Sequence, residues 1–104
     1  IAFEIINKVE IITSGTGLEL SDNQIAIFYQ RADGNYDGWG LHLWNGEGCG
    51  NYASPTTDSA HFSQWSSPYP IDGIHPEYGG YYILSVEPGA DCYNFIIHKG
   101  KAQV

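Results

Sequence analysis

The segment Trp39–Trp44, with the sequence WGLHLW, carries the side chains best suited to binding chemistry. Side chains alternate between the two faces of a β-strand. One face carries Trp39, Leu41 and Leu43, and the other carries Gly40, His42 and Trp44. An imidazole and an indole in one flat row suit sugar recognition, because the apolar face of a pyranose stacks on an aromatic plane. The same alternation also fits a Trp44 that closes the end of the core and a solvated His42, so the pattern leaves both interpretations open.

Two further side chains are candidates for the same site. Trp65, in the segment FSQWSSPYP, is either a loop ring over the site or a plug that holds the loop to the core. Lys99 stands at the end of the last apolar segment, beside Gly100. Its ammonium group can donate hydrogen bonds to sugar hydroxyls, although a solvated lysine at a strand end fits the pattern equally well.

The sequence predicts neither catalysis nor a metal site. Carboxylates are abundant, but nothing places two of them together as a glycosidase requires, and no nucleophile-elbow motif occurs. The segment Asp33–Gly38 matches the opening of a calcium loop. That loop needs a bidentate Glu at its twelfth position, which here is Trp44. We therefore expect a non-catalytic domain without a cofactor or a bound metal.

The formal net charge of −8 limits the classes of partner. Nucleic-acid binding and recruitment to anionic membranes both need clustered Lys or Arg, so neither is expected, whereas a neutral ligand is compatible. No apolar run approaches the length of about 20 residues that a membrane-spanning helix requires, and the first residues do not resemble a signal peptide. Because the chain contains no Met, we expect a processed chain or a piece of a longer one.

The two cysteines, Cys49 and Cys92, allow one intramolecular pairing. Both stand among glycines and polar residues, where a free thiol is a liability, so we predict a disulfide and an oxidising compartment. Two free thiols in a reducing compartment are the alternative.

Turn chemistry divides the chain into short apolar segments without helical periodicity. The predicted strands are Ile1–Ile12 (as one strand or two), Gln24–Gln30, Trp39–Trp44, Gly79–Val86 and Cys92–Lys99. A long polar loop region, Asn45–Pro70, separates the third from the fourth. The 104 residues fit one domain, and we predict an all-β fold of five to seven strands in two packed antiparallel sheets.

Four segments together resemble a known family. They are FYQRADGNYDGWGLHLW (Phe28–Trp44), QWSSPYPIDG (Gln64–Gly73), YGGYYILSV (Tyr78–Val86) and NFIIHKG (Asn94–Gly100). This pattern is similar to that of the pullulanase-associated carbohydrate-binding modules of family 41. The DGWGLHLW element is the most specific part, and the resemblance extends from about Phe28 to Lys101.

The resemblance implies an immunoglobulin-like β-sandwich that binds α-1,4-linked glucans such as amylose, glycogen or pullulan. Family members stack glucose on two rings spaced two residues apart, which match His42 and Trp44, and they use a lysine that matches Lys99. Some members add a third ring and an Asp after the last strand, where this chain has Lys101–Val104 with neither.

The resemblance also implies a setting for the domain. Residues 1–104 are expected to be a single module of a larger, secreted or cell-surface, bacterial-type enzyme of the pullulanase class. Its partners would be an α-glucan polysaccharide or maltooligosaccharide and the neighbouring domains of the parent enzyme. The alternative is a structural spacer domain of the same enzyme that has lost sugar binding.

Overall fold

The computed structural model describes residues 7–104, which form two antiparallel β-sheets. The strands are β1 (Lys8–Ile11), β2 (Gln24–Gln30), β3 (Gly40–Trp44), β4 (Gly73–His75), β5 (Gly79–Ser85), β6 (Asn94–Lys99) and β7 (Ala102–Gln103). One sheet has the order β1-β2-β5-β4 and the other has the order β3-β6-β7. The predicted all-β fold of two antiparallel sheets is confirmed.

The four-stranded sheet is built around β2 and β5. The alternation of QIAIFYQ turns Ile25, Ile27 and Tyr29 into the core. In β5, Tyr82 pairs with Ile27 and is fully buried, whereas the preceding Tyr81 faces outward and is half-buried. One of the two adjacent tyrosines therefore points away from the core, as their alternation predicts.

The three-stranded sheet supplies the opposite wall of the core. In the antiparallel pairing of β3 with β6, Leu41 faces Ile97 and Leu43 faces Phe95. Leu41, Leu43 and Ile97 are buried in one cluster with the inward side chains of β2 and β5. Because directly opposed residues share a face, the intervening residues of β3 and β6 form the outer face of this sheet.

Several strand boundaries differ from the sequence-based predictions for identifiable reasons. Strand β3 begins at Gly40 because the Trp39 N–H donates to the Tyr36 carbonyl and closes a turn. Strand β6 begins at Asn94 because the Cys92 carbonyl accepts from Gly50 across the loop. Of the predicted strand Ile1–Ile12, residues 8–11 form β1, and residues 1–6 lie outside the described part.

A disulfide and backbone hydrogen bonds hold the long loop after β3 to the sandwich. Cys49 and Cys92 are bonded, with their Cα atoms 4.9 Å apart, which confirms the predicted pairing. The buried Tyr52 forms a β-bridge with Val86. The loop contains a single turn of 3-10 helix, Thr56–Asp58. These ties explain why so long a segment between two strands keeps a defined course.

Turn chemistry also accounts for the acidic segment between β2 and β3. Arg31 donates to both carboxylate oxygens of Asp33, at 3.1 and 3.0 Å, and Asp33 accepts the Asn35 N–H at 2.9 Å.

Among residues 7–104, no group of three or more His, Cys, Asp or Glu is placed to hold a metal ion. No helix in this described part of the chain is long and apolar enough to cross a membrane.

Candidate functional site

The outer face of the three-stranded sheet carries a row of rings. The pairing of β3 with β6 places on this face Gly40, His42, Trp44, Asn94, Ile96 and His98. The rings of His42 and Trp44 lie side by side, with centroids 5.4 Å apart and planes 30° apart. Both side chains are half-buried, and Trp44 lies outside the core cluster. The structure thus places the two rings in the outward row that their alternation predicts.

These rings line a shallow depression, which we call the aromatic depression. It has a volume of about 380 Å³ and is lined by His42, Trp44, Glu47, Trp65 and Ile96. Three of the five lining side chains are rings, and the depression is open to solvent. Such a surface can receive one flat face of a small polar ligand that has an apolar side.

Trp65 reaches the aromatic depression from the long loop. The Leu41 N–H donates to the Tyr69 carbonyl at 3.0 Å, and the Tyr69 N–H donates back to the Leu41 carbonyl at 2.8 Å. This exchange fixes the loop along the edge of β3. Trp65 then stacks on His98, with ring centroids 3.7 Å apart and planes 8° apart, and turns its edge toward His42. With 38% of its surface exposed, Trp65 forms a wall of the depression on the outer face and does not plug the core.

Gly40 allows this close approach of the loop. A Cβ atom at Gly40 would lie 2.8 Å from the Pro68 Cβ and 2.9 Å from the Tyr69 carbonyl oxygen. Side-chain carbon atoms do not pack at these distances. Glycine at this position therefore lets the loop lie directly on the sheet, which in turn sets the place of Trp65.

We expect a Gly40→Ala variant to displace the loop. The added methyl group must push Pro68 away, which should cost about 1–3 kcal/mol of unfolding free energy, as overpacking does elsewhere. It should also loosen the stacking of Trp65 on His98. Thermal unfolding and the tryptophan emission spectrum measure the two effects. Ser66→Ala, an exposed change in the same loop, is the control. A Gly40→Ala variant with both properties unchanged would contradict this account.

The electrostatic state of His42 follows from its burial on the outer face beside His98. His42 Nδ1 and His98 Nε2 are buried and have no hydrogen-bond partner among the described residues. Burial, with a smaller contribution from the nearby His98, lowers the pKa of His42 below its ordinary value of 6.5. An imidazole with such a pKa is uncharged at neutral pH. His42 thus presents a neutral ring, which suits stacking and hydrogen bonding better than ionic contact.

Lys99 lies apart from the rings. Alternation along β6 points it away from the face that carries His98, and a Cβ atom at Gly38 would lie 3.0 Å from its Cε. The stem of Lys99 therefore packs beside the turn that precedes β3, while the residue remains exposed. It does not line the aromatic depression, and its expected role as a hydrogen-bond donor stays a prediction.

Two residues of the depression were not anticipated from the sequence. Glu47 accepts a hydrogen bond from the Trp44 indole Nε1 at 3.1 Å. Ile96 is opposite His42 in the pairing of β3 with β6. Because side chains alternate along β6, the sequence pattern could have predicted that Ile96 lies on the outer face. Glu47 belongs to an irregular turn with no periodic signal.

The chain matches the family model described as the bacterial pullanase-associated domain over residues 23–104. It belongs to that family. The match contains every strand from β2 to β7 and all residues that line the aromatic depression. The family resemblance carried by the segments between Phe28 and Lys101 is thereby confirmed.

A relative of this pullanase-associated domain is the protein named "Alpha-amylase" from Streptomyces lividans. The two are 34% identical over 92 residues, which cover 88% of this chain and 9% of the amylase. The chain thus spans about a tenth of the length of the relative that it matches. No solved structure matches the chain.

Proposed function

We propose that this pullanase-associated domain is a non-catalytic module that binds α-glucans at the aromatic depression. The observation that carries the proposal is the pair of outward rings, His42 and Trp44, with centroids 5.4 Å apart over an open surface. Adjacent rings at a small mutual angle offer stacking surface to the apolar face of a sugar ring. The net charge of −8 is compatible with a neutral polysaccharide.

Each side chain has a distinct role in this proposal. Trp44 supplies the larger stacking surface, and the neutral His42 extends it or hydrogen-bonds a hydroxyl. Trp65 closes one side, whereas Lys99 points away from this face and would donate hydrogen bonds only to a part of the glucan that extends past the end of β6. Each stacked ring should contribute about 1 kcal/mol beyond the apolar area that it buries, and we expect a dissociation constant in the millimolar to micromolar range.

The module is proposed to work as part of a larger enzyme. Residues 1–104 would bring an attached glycoside hydrolase of the pullulanase type to its polysaccharide. The support is membership of the pullanase-associated family and the match to a small part of an amylase. The Cys49–Cys92 disulfide fits an oxidising environment, so we place the enzyme outside the cell, either secreted or on the cell surface.

Native affinity electrophoresis tests the proposal at the level of the polymer. The domain should migrate more slowly in gels that contain amylopectin or pullulan than in gels without polysaccharide. Hydroxyethyl cellulose, a β-linked glucan, is the control and should leave its mobility unchanged. Equal mobility in all gels would contradict α-glucan binding.

A spacer domain that packs against a neighbouring module is the second candidate function. It is favoured by Ile74, which is 61% exposed and lines a depression of about 600 Å³ together with Pro68, Pro70 and Ile71. Single exposed apolar residues are common on protein surfaces. This feature therefore carries less weight than the paired rings, and the electrophoresis described above separates the two functions.

A further inference from the structure

We propose that Glu47 is a positioning residue of the aromatic depression, which holds the Trp44 indole in the orientation that stacking requires. This inference rests on the proposed α-glucan binding at the same site. It assigns a function to a residue that lies outside the strands and that contributes nothing to the core.

The hydrogen bond between the two residues is the first observation. The Trp44 Nε1–H donates to the Glu47 Oε2 at 3.1 Å, and both side chains line the depression. Trp44 is the last residue of β3 and is only half-buried, so packing contacts surround only part of its ring. A hydrogen bond to this carboxyl oxygen restricts the remaining freedom of the indole.

The backbone of Glu47 is the second observation. Its φ of +54° lies in the left-handed region, between Gly46 at +84° and Gly48 at +86°. A residue with a side chain is disfavoured there, whereas glycine adopts this conformation freely, as it does on both sides. A strained residue among glycines indicates that its side chain has a use that offsets the strain. The indole hydrogen bond is the use that the structure shows.

The turn that carries Glu47 is held firmly at both ends. Asn94 Nδ2 donates to the Gly46 carbonyl at 2.7 Å, and the Cys49 N–H donates to the same carbonyl at 3.0 Å. The Asn45 side chain accepts from the Tyr52 N–H at 2.8 Å. Cys49 is further fixed by its disulfide to Cys92. A carboxylate on such a turn has a defined position relative to β3, as a positioning group requires.

Two variants at Glu47 and one control variant elsewhere separate the effect of the hydrogen bond from the effects of charge and of backbone strain. Glu47→Gly removes the acceptor and the backbone strain together. Glu47→Gln keeps an oxygen acceptor for the indole and removes the charge. Glu19→Gln removes one charge from an exposed residue that does not line the depression and serves as the control.

Each variant is titrated with maltotetraose by calorimetry, and its unfolding midpoint and the indole N–H resonances are recorded. We expect Glu47→Gly to bind about tenfold more weakly, Glu47→Gln to stay within about threefold of the unsubstituted domain, and Glu19→Gln to be unchanged. The unfolding midpoint of Glu47→Gly should be equal or higher, because glycine relieves the strain. The Trp44 indole resonance should shift in Glu47→Gly without any sugar present.

Two results would overturn the assignment of Glu47 alone. One is Glu47→Gly binding as tightly as the unsubstituted domain, with the Trp44 resonance unmoved. The other is Glu47→Gln binding as weakly as Glu47→Gly, since the hydrogen bond would then not be the decisive feature. If the unsubstituted domain itself fails to bind maltotetraose, the proposed function fails and this assignment fails with it.

Discussion

In a Trp44→Ala variant, we expect retention of the domain by amylopectin to disappear while the fold remains intact. The substitution removes the larger of the two adjacent rings and leaves His42 as a single small stacking surface. Trp44 lies outside the core cluster and at the end of β3, so its loss should cost much less than the 3–5 kcal/mol typical of a core tryptophan. Native affinity electrophoresis and thermal unfolding measure the two properties.

Trp39→Phe is the matched control for this substitution. Trp39 packs against the core beneath the Arg31 guanidinium, whose carbon lies 4.5 Å from the ring centroid. It does not line the aromatic depression, so the control should keep its retention. A Trp44→Ala variant that unfolds would show that the ring belongs to the core. A folded variant that is still fully retained would show that the site lies elsewhere.

The second large effect concerns the Cys49–Cys92 disulfide. The bond joins residues 43 positions apart. In the chain-entropy model, closing a loop of this length stabilises the folded domain by about 4 kcal/mol. In a domain of this size, 1 kcal/mol shifts the unfolding midpoint by about 4–8 °C. We therefore expect reduction, or a Cys49→Ser, Cys92→Ser double variant, to lower the midpoint by about 16–32 °C.

Thermal unfolding with and without a phosphine reductant measures this loss. Cys92 is exposed, so the reductant should reach the bond in the folded domain. The double variant should be insensitive to reductant, which makes it the control for side effects of the reagent. A shift of only a few degrees would mean that the hydrogen bonds of the long loop suffice to hold it, and that the loop-entropy argument does not apply here.

The parts of the fold that could be predicted from the sequence are those with regular alternation. Strand β2 has the predicted bounds Gln24–Gln30, since its apolar residues alternate over seven positions. The same alternation in Trp39–Trp44 predicted the inward leucines and put His42 and Trp44 on the opposite face, although it left open whether Trp44 closes the end of the core. Periodicity decides which face a side chain occupies, and the site depends on that choice.

The short strands could not be predicted in the same way. Strand β4 has three residues, begins with glycine and exposes Ile74, and β7 has two residues. A period of two cannot be recognised over so few positions. Both strands form by pairing at the edge of an existing sheet, which is a tertiary effect that the local sequence does not report.

Tertiary contacts also decide the remaining parts of the site. From the sequence, Trp65 could lie either over the site or against the core. The backbone pairing of Tyr69 with Leu41 determines that Trp65 lies on the outer face. Glu47 enters the depression through the conformation of a glycine-rich turn. Both positions depend on how a long loop returns to the sheet, which the order of residue types along the loop does not specify.

A titration with maltotetraose followed by tryptophan fluorescence tests whether the aromatic depression binds α-linked glucose chains. Trp44 and Trp65 both line the depression, so a bound sugar should change their emission. We predict a saturable change with a spectral shift for maltotetraose and no change for cellotetraose. A flat trace with maltotetraose would contradict such binding and favour the spacer function.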